Sequence, residues 1–128
     1  MFKKYNDTPA AIAMGLISIG LIFWLGLFFI APESALSDRG IDVSAVPLVR
    51  LVALTWLGLL VGIILTFVNG PDGQKVFFNA LLVAQIATAI FNWYQYFAND
   101  VGTPFDVIAD VVITALLLFA YSRIHSRL

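Results

Sequence analysis

Four long apolar stretches take up most of the chain and constrain its fold more than any other feature. They run over residues 10–31, 48–68, 76–98 and 105–121. An α-helix rises about 1.5 Å per residue, so roughly 20 apolar residues cross the hydrocarbon layer of a membrane. The fourth stretch is short and contains Asp110, so it spans only if this aspartate faces protein rather than lipid.

The composition excludes most classes of soluble protein. Of the 128 residues, 61% are hydrophobic and 12% are charged, which is about half the charged share of a soluble domain. A net charge of −1 offers no basic patch to nucleic acid, which we exclude as a partner. The apolar runs also lack the alternation of a membrane β-barrel. We therefore predict an all-α fold, a bundle of four transmembrane helices that forms one integral membrane domain over residues 1–128.

Capping and turn residues separate the predicted helices. Asp7 and Thr8 precede a proline, which is a signal for the start of a helix. The segment 69–73 (Asn-Gly-Pro-Asp-Gly) predicts a tight turn, and Thr103 followed by a proline predicts the start of the last helix. The longest connection covers residues 32–47, and we expect it to begin with a short interfacial turn.

The distribution of charge predicts the orientation of the bundle. Four spans place both termini on one side, together with most of the basic residues: Lys3, Lys4, Lys75, Arg123 and Arg127. The opposite side is acidic and carries Glu33, Asp38, Asp42, Asp100 and Asp106. The positive-inside rule therefore predicts that both termini are cytoplasmic.

A polar stripe runs along the third predicted helix. Its members are spaced three or four residues apart, which places them on one helix face: Gln85, Thr88, Asn92, Gln95 and Asn99. Because polar groups are costly in hydrocarbon, we expect this face to point inward. The stripe runs from the middle of the membrane to its outer surface.

The fourth predicted helix offers a matching polar face. Asp106, Asp110 and Thr114 are each four residues apart and lie on one side of the helix. The simplest expected arrangement pairs Arg50, near the outer end of the second helix, with Asp110 or Asp106, while Asn92 and Gln95 supply hydrogen bonds. The candidate polar site therefore consists of Arg50, Gln85, Asn92, Gln95, Asp106 and Asp110.

The sequence leaves the purpose of this polar site open. In one interpretation its members are interhelical packing contacts, each contributing about 0.6 kcal/mol on average. In another they line a polar cavity, open to the outer side of the bundle, that binds a small molecule, a lipid headgroup or a proton. In a third they face a partner subunit. Proton or ion conduction is a further hypothesis, but it needs a continuous polar path, and few polar residues lie below Gln85.

No combination of residue types in the sequence predicts catalysis. The chain has no cysteine and a single histidine, His125, so a thiolate site or a site with two histidines is impossible. No carboxylates and histidines have the spacing of metal ligands. We therefore expect neither an enzyme nor a bound metal or cofactor.

The order of the short motifs resembles that of the DoxX-like group of small four-helix bacterial membrane proteins. Ala-Pro-Glu at 31–33 ends the first helix, and Val-Arg-Leu at 49–51 opens the second, which continues to Leu-Gly at 57–58. Gly-Thr-Pro at 102–104 precedes an acidic last helix. Some members of this group are membrane subunits associated with quinone-linked sulfur oxidation. The resemblance implies the fold and a bacterial inner membrane as the host, and a redox role here would require a partner.

These observations predict a non-catalytic integral membrane protein, an accessory, scaffold or assembly subunit of a larger membrane complex. Its expected partners are membrane lipids and other integral membrane proteins, or a second copy of itself. The alternative function is a bundle that binds a quinone, a lipid or a similar amphiphile in the outer polar pocket.

Overall fold

The computed structural model describes residues 2–128 and contains five α-helices, with no strand in that range. Four are long: α1 (Thr8–Ile30), α3 (Val46–Asn69), α4 (Lys75–Asn99) and α5 (Pro104–Ile124). The fifth, α2 (Pro32–Asp38), is short. Short 3₁₀ turns cover Phe2–Lys4, Val43–Ala45 and His125–Arg127.

The four long helices are long and apolar enough to cross a membrane. Their bounds differ from the predicted spans by one to three residues at each end. The helical fold with four apolar helices is therefore confirmed, and a multi-pass membrane protein follows from it.

Side-chain caps fix the starts of two helices. The carboxylate of Asp7 accepts a hydrogen bond from the Ala10 N–H at 3.0 Å, just before Pro9. At the start of α5, the Thr103 hydroxyl accepts from the Asp106 N–H at 3.1 Å. Each cap satisfies a backbone donor that the first helical turn leaves unpaired, and both starts agree with the sequence-based prediction.

The connection after α1 differs from the short turn that we predicted. Residues 32–38 form the helix α2, with Pro32 in its first turn and Glu33 beside the helix N-terminus. Its Ala35 and Leu36 are buried. Pro32 stabilises the helix start through the fixed φ of proline, and Glu33 does so because a carboxylate interacts favourably with the helix dipole.

The helices pack side by side in an order that differs from their order in the chain. Helix α1 packs against α3 and α5, and α5 packs against α4. Helices α3 and α4 also approach each other near their connecting turn, where the ring of Phe77 lies against Gly62. As a result, α1 lies between α3 and α5, and α4 has α5 as its main neighbour.

The apolar core lies toward the end of the bundle that holds both termini. Its largest buried members are Tyr5, Met14, Ile63, Phe78, Leu117 and Ile124. Because lipid tails are as apolar as these side chains, close van der Waals packing rather than the hydrophobic effect holds the helices together.

Three segments are tied together at this same end. Arg123 Nε lies 2.8 Å from a carboxylate oxygen of Asp7, and Arg127 Nη2 lies 2.9 Å from Asp72. Arg127 also donates to the carbonyl of Tyr5. The N-terminal segment, the α3–α4 turn and the C-terminus therefore meet at one end. Which side of a membrane this end faces remains a prediction.

Candidate functional site

Helices α4 and α5 are joined by three interhelical side-chain hydrogen bonds, one of which runs from the Tyr121 hydroxyl to the Asn79 amide oxygen at 2.7 Å. The other two join residues of the predicted polar faces. The Asn92 amide donates to a carboxylate oxygen of Asp110 at 2.9 Å, and the Gln85 amide donates to the Thr114 hydroxyl at 3.2 Å. The polar stripe on α4 thus meets the polar face of α5, as the spacing of these residues predicts. Both bonds fix the register of α4 against α5, since a slip of either helix would leave polar groups unpaired.

Asp110 is the most deeply buried carboxylate of this pair of helices, with 9% of its surface exposed. A buried carboxylate is costly unless a hydrogen-bond donor satisfies it. The Asn92 amide supplies that donor, and the side chain therefore faces protein rather than lipid.

The ion pair at the α2 end of the bundle differs from the expected one. Asp106 pairs with Arg39, whose Nη2 lies 2.7 Å from its carboxylate oxygen, and not with Arg50. Only 8% of the Arg39 side chain is exposed. The expected Arg50 pair is wrong because the end of α2 lies against the turn before α5, where the Gly102 N–H donates to the Arg39 carbonyl at 3.2 Å.

The guanidinium of Arg39 has further contacts with α1 and α2. Its Nη1 donates to the Ala35 carbonyl at 2.9 Å. Its guanidinium carbon lies 4.8 Å from the ring centre of Phe28 and 5.6 Å from that of Trp24. These cation–π contacts and hydrogen bonds compensate for the loss of water around the charge. The side chain therefore connects α1, α2 and α5.

Arg50 lies apart from this cluster. Its side chain is exposed, and its Nε donates to the Phe29 carbonyl at 3.3 Å. Its guanidinium carbon lies 5.9 Å from the Phe29 ring centre. It covers the end of α1, and the structure does not bring it to Asp106 or Asp110.

The remaining members of the α4 stripe do not reach α5. The Asn99 amide donates to the side chain of Gln95 at 3.1 Å within the same helix. Thr88 and Asn99 are exposed, and Gln95 is half-buried. The expectation that the whole stripe points inward therefore holds for Gln85 and Asn92, and it fails for Thr88 and Asn99.

Trp93 directly follows Asn92 in α4. Over residues 2–128, its indole N–H is the one buried side-chain donor or acceptor without a hydrogen-bond partner. Such a donor is costly in a dry site unless something later accepts its hydrogen bond.

A second face of α4 is small and unpaired over the first half of the helix. Ala80, Ala84 and Ala87 are all exposed. Their spacings of four and three residues place them on one side of the helix, away from the side on which Gln85 and Asn92 contact α5. Beyond Ala87 the same side carries the large, exposed side chains of Phe91 and Tyr94. We call the three alanines the alanine face. Other small residues are used within the bundle: Ala11 is buried in the core, and Gly62 lies against Phe77.

The main residue that sequence reasoning missed is Arg39. A signal for it is present on α1, where Trp24 and Phe28 lie four residues apart and form one aromatic surface near the helix end. An aromatic pair of this kind attracts a nearby cation. The helix that begins at Pro32 brings the next basic residue, Arg39, back to this aromatic pair.

Comparison with known proteins adds nothing to this geometry: no protein-family model, curated protein or solved structure matches the chain.

Proposed function

We propose that the chain is a non-catalytic integral membrane subunit that assembles with another membrane protein through the alanine face of α4. The observation that carries this proposal is the exposure of Ala80, Ala84 and Ala87 in one row. Small residues in a row let a second helix approach closely, and such faces are enriched where membrane helices associate. Thr88, exposed beside this row, offers a hydroxyl to a partner helix.

The internal pairing of the polar residues supports an accessory role. Asn92, Gln85 and Asp106 each contact a partner within the chain. The bonds of Asn92 and Gln85 stabilise one arrangement of α4 and α5, and that arrangement presents the alanine face in a fixed direction. A subunit that positions a larger protein needs this kind of rigid, preformed surface.

The proposed location is a bacterial inner membrane, with both termini in the cytoplasm. The end that holds the termini carries Lys3, Lys4 and Lys75 in addition to the paired Arg123 and Arg127. This asymmetry supports the orientation by the positive-inside rule. The resemblance to the DoxX-like group is part of the same proposal.

The test is to block the alanine face without disturbing the bundle. Ala84→Leu adds bulk to this face, and Ala115→Leu makes the same change at an exposed alanine of α5. Each affinity-tagged variant is solubilised from its native membrane in mild detergent, and the assembled fraction is measured by native electrophoresis. We expect Ala84→Leu to reduce the assembled fraction at least tenfold, while Ala115→Leu leaves it unchanged.

A photo-crosslinking residue at position 84 gives an independent readout. It should yield a product with a defined second protein, whereas the same residue at the exposed position 19 of α1 should react with lipid alone. A free monomer in all preparations, or equal assembly of the two leucine variants, would contradict the proposal. A product of twice the chain's own mass would make the partner a second copy.

The unpaired N–H of Trp93 favours a second candidate function, the binding of a quinone or a similar amphiphile beside Asn92 and Asp110. A quinone carbonyl would accept the indole hydrogen bond. Decylubiquinone serves as the probe. We expect Asp110→Ala to abolish its binding without unfolding the bundle, and Trp93→Phe to weaken it about tenfold. Binding that survives both changes would exclude this site.

A further inference from the structure

A groove lies between α3 and α4 where their connecting turn brings them together. It has a volume of about 250 Å³ and is lined by Gly62, Leu65, Thr66, Asn69, Gln74 and Phe77. The lining changes in character along the groove. One end of the groove is apolar and is formed by Gly62, Leu65 and Phe77. The other end, next to the α3–α4 turn, carries the exposed side-chain amides of Asn69 and Gln74.

Hydrogen bonds fix the α3 wall of the groove. Thr66 on its wall is buried and bonded twice: it donates to the Ile63 carbonyl at 2.6 Å and accepts from the Tyr5 hydroxyl at 2.5 Å. A threonine has one hydroxyl hydrogen, so the tyrosine is the donor in this second bond. The N-terminal segment thus holds the α3 wall in place.

Two lysines stand beside the turn at the polar end of the groove. Lys75 directly follows Gln74 and is exposed. Lys4 is also exposed, and its carbonyl oxygen lies 3.2 Å from the position that a Cβ on Gly70 would occupy. Over residues 2–128, neither lysine has an ion-pair partner, while Asp72 of the same turn is paired with Arg127. The turn therefore presents unpaired positive charge.

The size and position of the groove limit what it can hold. Pockets that enclose a drug-sized ligand measure roughly 300–1,000 Å³, so this groove is suited to one hydrocarbon chain rather than to a whole ligand. It lies at the ends of two helices of membrane-spanning length, which is the level of the lipid headgroups. Amides and lysines at that level can bind a phosphate, and the apolar part below can take up an acyl chain.

From these contacts we propose that the α3–α4 groove is a binding site for an anionic phospholipid. One acyl chain lies against Leu65 and Phe77, and the headgroup phosphate lies between the amide of Gln74 and the ammonium groups of Lys4 and Lys75. The site adjoins the alanine face, since Phe77 precedes Ala80 and Ala84 by three and seven residues on the same side of α4. Its lining does not include the alanines, and it does not depend on assembly with a partner protein.

The experiment compares phosphatidylglycerol with phosphatidylcholine on the purified full chain. Delipidated protein in a mild detergent receives each lipid, and native mass spectrometry counts the bound molecules while a thermal melt reports stabilisation. We expect one tightly bound phosphatidylglycerol, at least tenfold preferred over phosphatidylcholine. Leu65→Trp should remove this bound lipid by filling the groove, and Lys4→Glu/Lys75→Glu should remove the preference.

Matched controls separate the groove from general attraction to the membrane. Leu57→Trp makes the same change at an exposed leucine two turns earlier on α3, and Lys3→Glu reverses an exposed lysine that lines a different surface, next to Asn6 and Asp7. Both should bind lipid as the unmodified chain does. Equal binding of the two lipids, or equal effects of Leu65→Trp and Leu57→Trp, would overturn the proposal.

Discussion

A single buried cation, Arg39, connects three helices. Its partner Asp106 stands in the first turn of α5, where its own backbone N–H is bonded to Thr103. Loss of the guanidinium leaves this carboxylate without its partner in a site where 18% of its side chain is exposed. Removing one member of a buried ion pair destabilises far more than removing an exposed charge, because the remaining charge stays poorly solvated.

Substitution of Arg39 and of Arg50 by alanine allows a direct comparison of a buried and an exposed arginine. We expect Arg39→Ala to lower the free energy of unfolding by roughly 2–3 kcal/mol, somewhat below the value for a fully buried pair because Asp106 keeps some contact with solvent. Arg50→Ala should change it by no more than about 0.5 kcal/mol, as for most surface residues. Unfolding by titration with a denaturing detergent, followed by circular dichroism, measures both. Similar values for the two variants would contradict the role of Arg39.

The arginine pair also shows where prediction from sequence succeeds and fails. The contact between Asn92 and Asp110 follows from helix periodicity, since each residue lies on a polar face that has no other place in a membrane. The pairing of Asp106 depends on the path of the loop between α2 and α3, and helix periodicity gives no information about that path. Arg50 lies within a predicted membrane-spanning stretch, whereas Arg39 lies in the connection between two stretches. The path of the loop nevertheless brings Arg39, and not Arg50, to Asp106 at the start of α5.

Among the helices, the contact between α3 and α4 depends on one glycine. A Cβ on Gly62 would lie 2.6 Å from Cζ of Phe77, closer than atoms can approach without a shift. The same addition at Gly58, one turn earlier, meets nothing within 4 Å. The two glycines lie four residues apart, a spacing that is common where membrane helices pack closely, but of the two only Gly62 is used for close packing.

Substitution of each glycine by alanine should separate these two roles. Gly62→Ala forces the Phe77 ring to move, and we expect a loss of about 1–2 kcal/mol of stability from overpacking. Gly58→Ala should be neutral or should stabilise by up to about 0.5–1 kcal/mol, because alanine loses less backbone entropy in a helix. The detergent titration again gives the values. A stable Gly62→Ala protein would show that the ring finds another position at little cost.

The alanine face illustrates a limit of sequence reasoning at the level of the helices. Small-residue pairs occur on α1, α3 and α4, and the sequence does not rank them. The packing does: α1 uses Ala11 in the core, α3 uses Gly62 against Phe77, and α4 keeps Ala80 and Ala84 exposed. The order of the helices in space decides which small face remains free, and that order depends on contacts between distant parts of the chain.

The whole bundle is closed at the end that holds the termini by two carboxylate–arginine pairs. Hydrogen bonding by Arg123, with that of the Ala10 N–H, holds the pKa of Asp7 below its usual range, and Arg127 does the same for Asp72. Both carboxylates therefore have a lower pKa in the folded chain than in the unfolded chain. Their stabilising effect is complete above the unfolded pKa of about 4 and is lost as the pH falls through the folded pKa.

Acid should accordingly loosen the junction of the N-terminal segment, the α3–α4 turn and the C-terminus before the helices themselves unfold. We expect the thermal midpoint to fall between about pH 5 and pH 3, and Asp7→Asn/Asp72→Asn to reduce this fall. Asparagine keeps the helix cap at position 7 and removes only the charge. Asp38→Asn, an exposed carboxylate without an ion pair over residues 2–128, should retain the full pH dependence. Identical pH profiles for the double variant and for Asp38→Asn would show that these ion pairs do not couple the three segments.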